Sequence, residues 1–214
     1  MKITAKRANG GMECACEGPG ARRPRGRPRC FDRAAALEAA MEVFWRKGFE
    51  ATSLADLTAA MGINPPSLYA AFGDKEQLYI AMLRHIGQKS VEAMDAILST
   101  PDPIEQRLGR LYKGAIDIYT RPPNPPGCII VGTATVESPS HPEIGAAANR
   151  ILADFEKAFE RGFVDSDLKP TPSPAERASM AGAILYATGI RARLGVPVSE
   201  LRAFTRSMIP LICR

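Results

Sequence analysis

Residues 62–79 read GINPPSLYAAFGDKEQLY, with two prolines directly ahead of a helix-forming run. Inside a helix proline is disruptive, because it lacks an N–H and its ring meets the carbonyl one turn back. In the first turn that conflict vanishes. The first four helical N–H groups have no partner within the helix, so proline there forfeits no hydrogen bond. Asn64 is a good N-cap, and a residue before proline is held extended, as a cap must be. Pro66 restricts Pro65 in the same way, so the helix starts at one or the other. The pair therefore predicts a short, stiff helix over 65–72, closed by Gly73. Asp74 caps the next helix, with Gln77 placed to complete a capping box.

Working back from this point, FDRAAALEAAMEVFWRKG (31–48) repeats apolar residues at Leu37, Ala40, Met41 and Phe44, with charged residues off that stripe. It predicts an amphipathic helix ended by Gly48. The next piece is TSLADLTAAMG. Ser53 is a cap, Asp56 favours the positive end of the helix dipole, and Gly62 stops the helix after two turns. A support helix, a short helix, a tight turn and a second short helix make a helix-turn-helix, whose last helix enters the DNA major groove. At that end a rigid backbone lowers the entropy lost on docking, and free N–H groups favour phosphate.

Working forward, a long helix runs from Lys75 until Pro101, and 103–120 forms another, ended by RPPNPPG. GCIIVGTATVES has β-type propensity but is bracketed by helices, and we expect a short buried helix. Residues 141–163 are strongly amphipathic; a proline-bearing link leads to two last helices, over 175–195 and 199–214. The fold class is all-α, with a basic arm over 1–29, a helix-turn-helix domain over 30–74 and a helical effector and dimerisation domain over 75–214.

The chain has 214 residues and a net charge of +5, of which residues 1–30 carry eight basic against two acidic groups. The basic excess thus lies wholly in that leader, whose prolines and glycines predict an extended arm suited to a polyanion. The absence of any apolar run of membrane-spanning length, or of a signal-peptide core, points to the cytoplasm. Five scattered cysteines form no disulfide framework. Cys14 and Cys16 have no second ligand pair, so neither a metal site nor any cofactor is expected.

FEATSLADLTAAMGINPPSLYAAFGDKEQLY resembles the DNA-binding domain of the tetracycline-repressor-like (TetR/AcrR) transcriptional regulators. The matching features are a first helix ending in Gly-Phe, Thr-Ser-Leu-Ala-Asp-Leu, Met-Gly-Ile, Ser-Leu-Tyr-x-x-Phe and Asp-Lys-Glu-x-Leu, together spanning about residues 30–83. The resemblance implies that Asn64, Pro65, Pro66 and Ser67 form the base-reading edge and that Tyr69 meets a phosphate or a thymine methyl. It further implies phosphate contacts from Thr52, Ser53 and Lys75. Prolines at 65 and 66 depart from members with a polar residue there, so direct readout is expected to be thin. Arg25, Arg27 and Arg29 are placed to reach the adjacent minor groove. Leu68 and Phe72 are core candidates.

The same resemblance implies a homodimer through the last two helices (about 175–213), a palindromic double-stranded DNA operator and release by a small apolar effector. Helices over about 75–163 would enclose the effector cavity, with His85, Tyr112, Cys128 and His141 as candidate lining. Two rival readings are weaker. An enzyme using Cys128 and His141 would need a fixed geometry that no motif supplies. A helical protein-binding adaptor would leave the basic arm unexplained.

Overall fold

Helices account for all regular structure among the described residues, which in this computed structural model are 32–122, 127–164 and 166–214. All belong to one compact unit, Asp32–Arg214. The expected arm contacts Arg25, Arg27 and Arg29, and the Cys14–Cys16 pair, lie outside the described residues. None of the described helices is long and apolar enough to cross a membrane.

The first three helices are α1 (Arg33–Lys47), α2 (Leu54–Met61) and α3 (Pro65–Phe72). Asp32 caps α1 by accepting from the N–H groups of Ala34 and Ala35 at 2.9 and 3.3 Å. Ala36, Leu37, Ala40, Val43, Phe44 and Trp45 are buried, a stripe wide enough to pack on α2 and on the long helix that follows. Ser53 and Asp56 form a complete capping box on α2. Gly62, in the left-handed conformation with φ 65°, turns the chain sharply enough for α3 to start three residues later.

Next comes α4 (Lys75–Leu98), 24 residues and so roughly 36 Å long. The expected Asp74 cap is present, accepting from the Gln77 N–H at 2.8 Å. The expected reciprocal bond is not made. Gly73, at φ 79°, leaves a space into which the Gln77 amide leans, 1.6 Å from where a Cβ would stand. A further helix, α5 (Ile104–Tyr119), precedes a π-helical turn, Ile130–Ala134, that continues as α6 (Thr135–Glu137). The expected short helix is present, but only its π-helical part is buried, at Ile130, Thr133 and Ala134, while α6 has no buried residue. The hydroxyl of Thr133 donates to the Ile129 carbonyl one turn back, at 2.6 Å.

The chain ends with α7 (Pro142–Val164), α8 (Pro174–Arg193) and α9 (Val198–Ile212). The helices α4 and α7 lie close enough that a Cβ on Gly87 would come 2.8 Å from Ile151. Arg177 on α8 is almost fully buried and donates to the carbonyls of Pro172, Lys169, Ile212 and Arg214. That guanidinium ties the chain end to the start of α8. Several small residues of α8, namely Ala178, Ala181, Gly182 and Gly189, are buried within the chain, in a helix packed against α5, α7, α9 and the π turn.

Candidate nucleic-acid interface and cavity

On α3 the inward residues are Leu68 and Phe72, at 0% and 6% exposure, one turn apart. Asn64, Pro65, Pro66 and Tyr69 are exposed and Ser67 half-buried. The helix therefore presents its N-terminal edge outward while two side chains anchor it. Asn64 Oδ1 accepts from the Ser67 N–H at 2.9 Å, which commits its oxygen to the cap and leaves the amide NH2 to donate outward. Tyr69 is half exposed, so its ring and hydroxyl stand clear of the core.

The three residues expected to hold phosphate sit in different surroundings. Ser53 is exposed, but its hydroxyl donates to Asp56 Oδ2 at 2.7 Å. Asp56 also pairs with Lys47 at 2.7 Å, and the Lys47 ammonium together with Ser53 holds its carboxyl well below the usual carboxylate range. Thr52 is buried and its hydroxyl donates to the Gly48 carbonyl at 2.6 Å. The Lys75 ammonium donates to the carbonyls of Phe49 and Thr52 at 3.0 and 3.3 Å and sits 4.2 Å from the Phe49 ring centre. Thr52 and Lys75 thus brace the turn between α1 and α2 and tie it to α4.

A second joint holds that turn. The His141 ring lies 3.1 Å from Glu76 Oε2 through Nδ1 and 3.1 Å from Glu50 Oε1 through Nε2, and packs edge-on against Phe49. The carboxylates of Glu50, then Glu76, push its pKa above the usual value, so the imidazolium is the form the site favours. Glu50, Glu137 and His141 bring one ligand-type atom each within 4.8 Å of one another. With both ring nitrogens already matched to carboxylates, that group reads as ion pairs around an imidazolium. Tyr79 of α4 joins the same cluster, edge-on to Phe44 and Phe49, and its hydroxyl bonds that of Thr133 in the π turn.

The four residues expected around an effector do not converge. His85 and Cys128 line a cavity of about 630 Å³. Tyr112 is buried elsewhere, its hydroxyl donating to the Ala181 carbonyl at 3.0 Å, and His141 is spent on the joint just described. Burial pushes the Cys128 thiol up, which disfavours the thiolate. The cavity also extends beyond the helices expected to enclose it, because Met41 and Trp45 of α1 form part of its wall and Leu185 of α8 another. No sequence signal marked Trp45 as a wall residue, since only the packing of α1 on α4 puts it there.

Residues 36–82 match the family model described as bacterial regulatory proteins, tetR family. Among curated proteins, the chain is 31% identical to the HTH-type transcriptional repressor ComR of Escherichia coli K12, over 84% of this chain and 88% of that protein. It is equally 31% identical to the HTH-type transcriptional repressor BdcR of the same strain, over 83% and 87% respectively. Among solved structures, a cysteine mutant of the TetR family regulator CifR, in complex with a 26-bp double-strand operator DNA, superimposes with a TM-score of 0.72. It is 32% identical and covers 86% of this chain and 98% of its own.

Proposed function

This chain belongs to the tetR family of bacterial regulatory proteins and is a transcriptional regulator; from that premise we propose that it is a ligand-released repressor. It binds a palindromic operator as a homodimer in the cytoplasm. The observation that carries this reading is the outward edge of α3, where Asn64, Pro65, Pro66 and Tyr69 face solvent over a Leu68–Phe72 anchor. Asn64 and Ser67 supply hydrogen bonds to base edges, the two prolines and Tyr69 supply contacts to thymine methyls, and Ser53 stands nearest the phosphates. Thr52 and Lys75 act by holding the turn that aims α3. Arg25, Arg27 and Arg29 add minor-groove contacts from the arm. ComR and BdcR, matched over 84% and 83% of the chain, are named repressors, which favours repression.

Dimerisation is supported by α8, whose outward positions Met180, Ala183, Ala187, Ile190 and Leu194 recur at steps of three and four. Ile190 is 47% and Leu194 78% exposed, an apolar face that a second copy would cover. Such pairing sets two α3 helices about 34–36 Å apart, or a multiple of that. An effector in the cavity between α1, α4 and α5 favours one spacing over the other, and a preference of ~1–3 kcal/mol suffices to release DNA.

The test is sequencing of genomic fragments retained by the purified protein. A two-fold symmetric motif is expected, bound with an affinity that falls steeply with salt and less steeply once residues 1–29 are deleted. Retention of no enriched motif would overturn the proposal.

A further inference from the structure

The cavity walls carry more chemistry than shape, and any ligand assigned to them rests on the effector-responsive reading. Two of the cavity's lining residues, Trp45 and His85, each carry a buried polar atom with no hydrogen-bond partner among the described residues, Nε1 and Nε2 respectively. Trp45 is only 5% exposed, and its indole N–H can only donate. Buried donors are paired in the great majority of proteins, so an orphan in a cavity wall marks where an acceptor belongs. His85 Nε2 is 3.7 Å from Glu38 Oε1, beyond hydrogen-bond reach, and Glu38 is taken instead by Lys89. Both orphan atoms are covered in this structure. Met41, one turn before Trp45 on α1, and Met94 of α4 line the same cavity, and their flexible side chains are the ones able to yield to a ligand.

The remaining chemistry selects for a neutral molecule. The charged residues of the lining are Glu38 and Glu42 against Lys89 and Arg121, two of each sign, so no net charge waits for a counter-ion. The rest is largely apolar, and the volume of about 630 Å³ suits a small organic ligand. Space is open at Gly114 of α5, where an added Cβ would meet nothing within 4 Å.

We propose that this cavity binds a neutral, largely apolar molecule bearing a carbonyl-type acceptor, held by the indole N–H of Trp45 and by His85 Nε2. Because Trp45 and Met41 belong to α1, the ligand touches the support helix of the DNA-reading domain itself. No relay through the body of the molecule is then needed to disturb α3.

Prodan, a neutral naphthalene ketone whose emission shifts to the blue out of water, tests this with the full-length protein. It should bind and accept energy from Trp45, the chain's single tryptophan. Anilinonaphthalene sulfonate, similar in shape but charged, should bind about tenfold more weakly. Trp45→Phe keeps a ring but removes the donor, and should weaken prodan about tenfold. Gly114→Phe should abolish binding while helix content and Tm are kept, since its ring enters empty space. Prodan binding should also weaken when the protein is loaded with its selected duplex. Unchanged prodan affinity in either variant, or no binding to the unaltered protein, would overturn the site. Equal affinity on and off DNA, with both variants behaving as expected, would instead overturn the effector reading and leave the site standing.

Discussion

Tyr69 and Lys75 stand six residues apart and do opposite work. Tyr69 is half exposed, so Tyr69→Ala removes little packing. It should cut operator affinity by about tenfold, an amount fit for one lost contact, with an unchanged Tm. Lys75 donates to two carbonyls of the turn between α1 and α2. Lys75→Met should therefore cost about 1–2 kcal/mol of stability, read by urea unfolding, and loss of DNA affinity alone would contradict the bracing role. His141 adds a dependence on pH. Its carboxylate partners exist only in the folded chain and raise its pKa above the ordinary 6.5. Folding then favours the protonated ring, and the stabilisation is complete below 6.5 and lost as pH rises through the folded value. The Tm difference between the unaltered protein and His141→Asn should be larger near pH 6 than near pH 9. An equal difference at both would exclude the ion pairs.

Among elements, α3 shows how eight residues become a tool. Asn64 accepts from the Ser67 N–H, Pro65 and Pro66 hold the first turn, and Leu68 and Phe72 seat it. Asn64→Ala should cost about 1 kcal/mol of stability through the lost cap and should weaken operator binding as well, because the same change frays the reading edge. Melting curves and filter binding measured together check this. Asn64→Asp separates the two effects: it keeps the cap but offers no amide donor, so stability should hold while affinity falls. The π turn is the second instructive element. Its first residue, Ile130, lines the cavity together with Cys128 and Ile129 just ahead of it, and Thr133 bonds Tyr79 of α4. A short, irregular piece of chain thus joins the cavity wall to α4, beside the direct contact that Met41 and Trp45 of α1 make with the cavity.

For the whole molecule, the outward face of α8 sets the expectation. Leu194, just past the end of α8, is 78% exposed and continues the line of Met180 and Ile190. Ile190→Glu should shift the protein from dimer to monomer in sedimentation and lower affinity for the palindrome far more than for a single half-site. A monomer in the unaltered protein would refute the arrangement. Of the small residues of α8, Ala178, Ala181, Gly182 and Gly189 are buried within the chain, while Ala183 and Ala187 lie on the outward face with Met180 and Ile190, the face expected to meet a second copy.

Local rules settled much of this protein before any packing was known. The caps at Ser53, Asn64 and Asp74, the stops at Gly48, Gly62 and Gly73, and the proline start of α3 each depend on a few adjacent residues, so their sites are readable from order alone. The stripe of Leu37, Ala40 and Phe44 likewise told which side of α1 is inward, because helical period converts spacing into direction. What order alone could not convey is which distant groups meet. Lys75 carries phosphate-binding chemistry in any sequence, yet its ammonium is engaged by the Phe49 and Thr52 carbonyls, which only the docking of the turn between α1 and α2 on α4 brings near; the Thr52 hydroxyl is taken locally, by the Gly48 carbonyl four residues back. The packing of α1 on α4 puts Trp45 in the cavity wall, that of α5 on α8 takes the Tyr112 hydroxyl to the Ala181 carbonyl, and Glu50 and Glu76 hold His141; such contacts across dozens of residues arise from three-dimensional closure and leave no periodic trace along the chain.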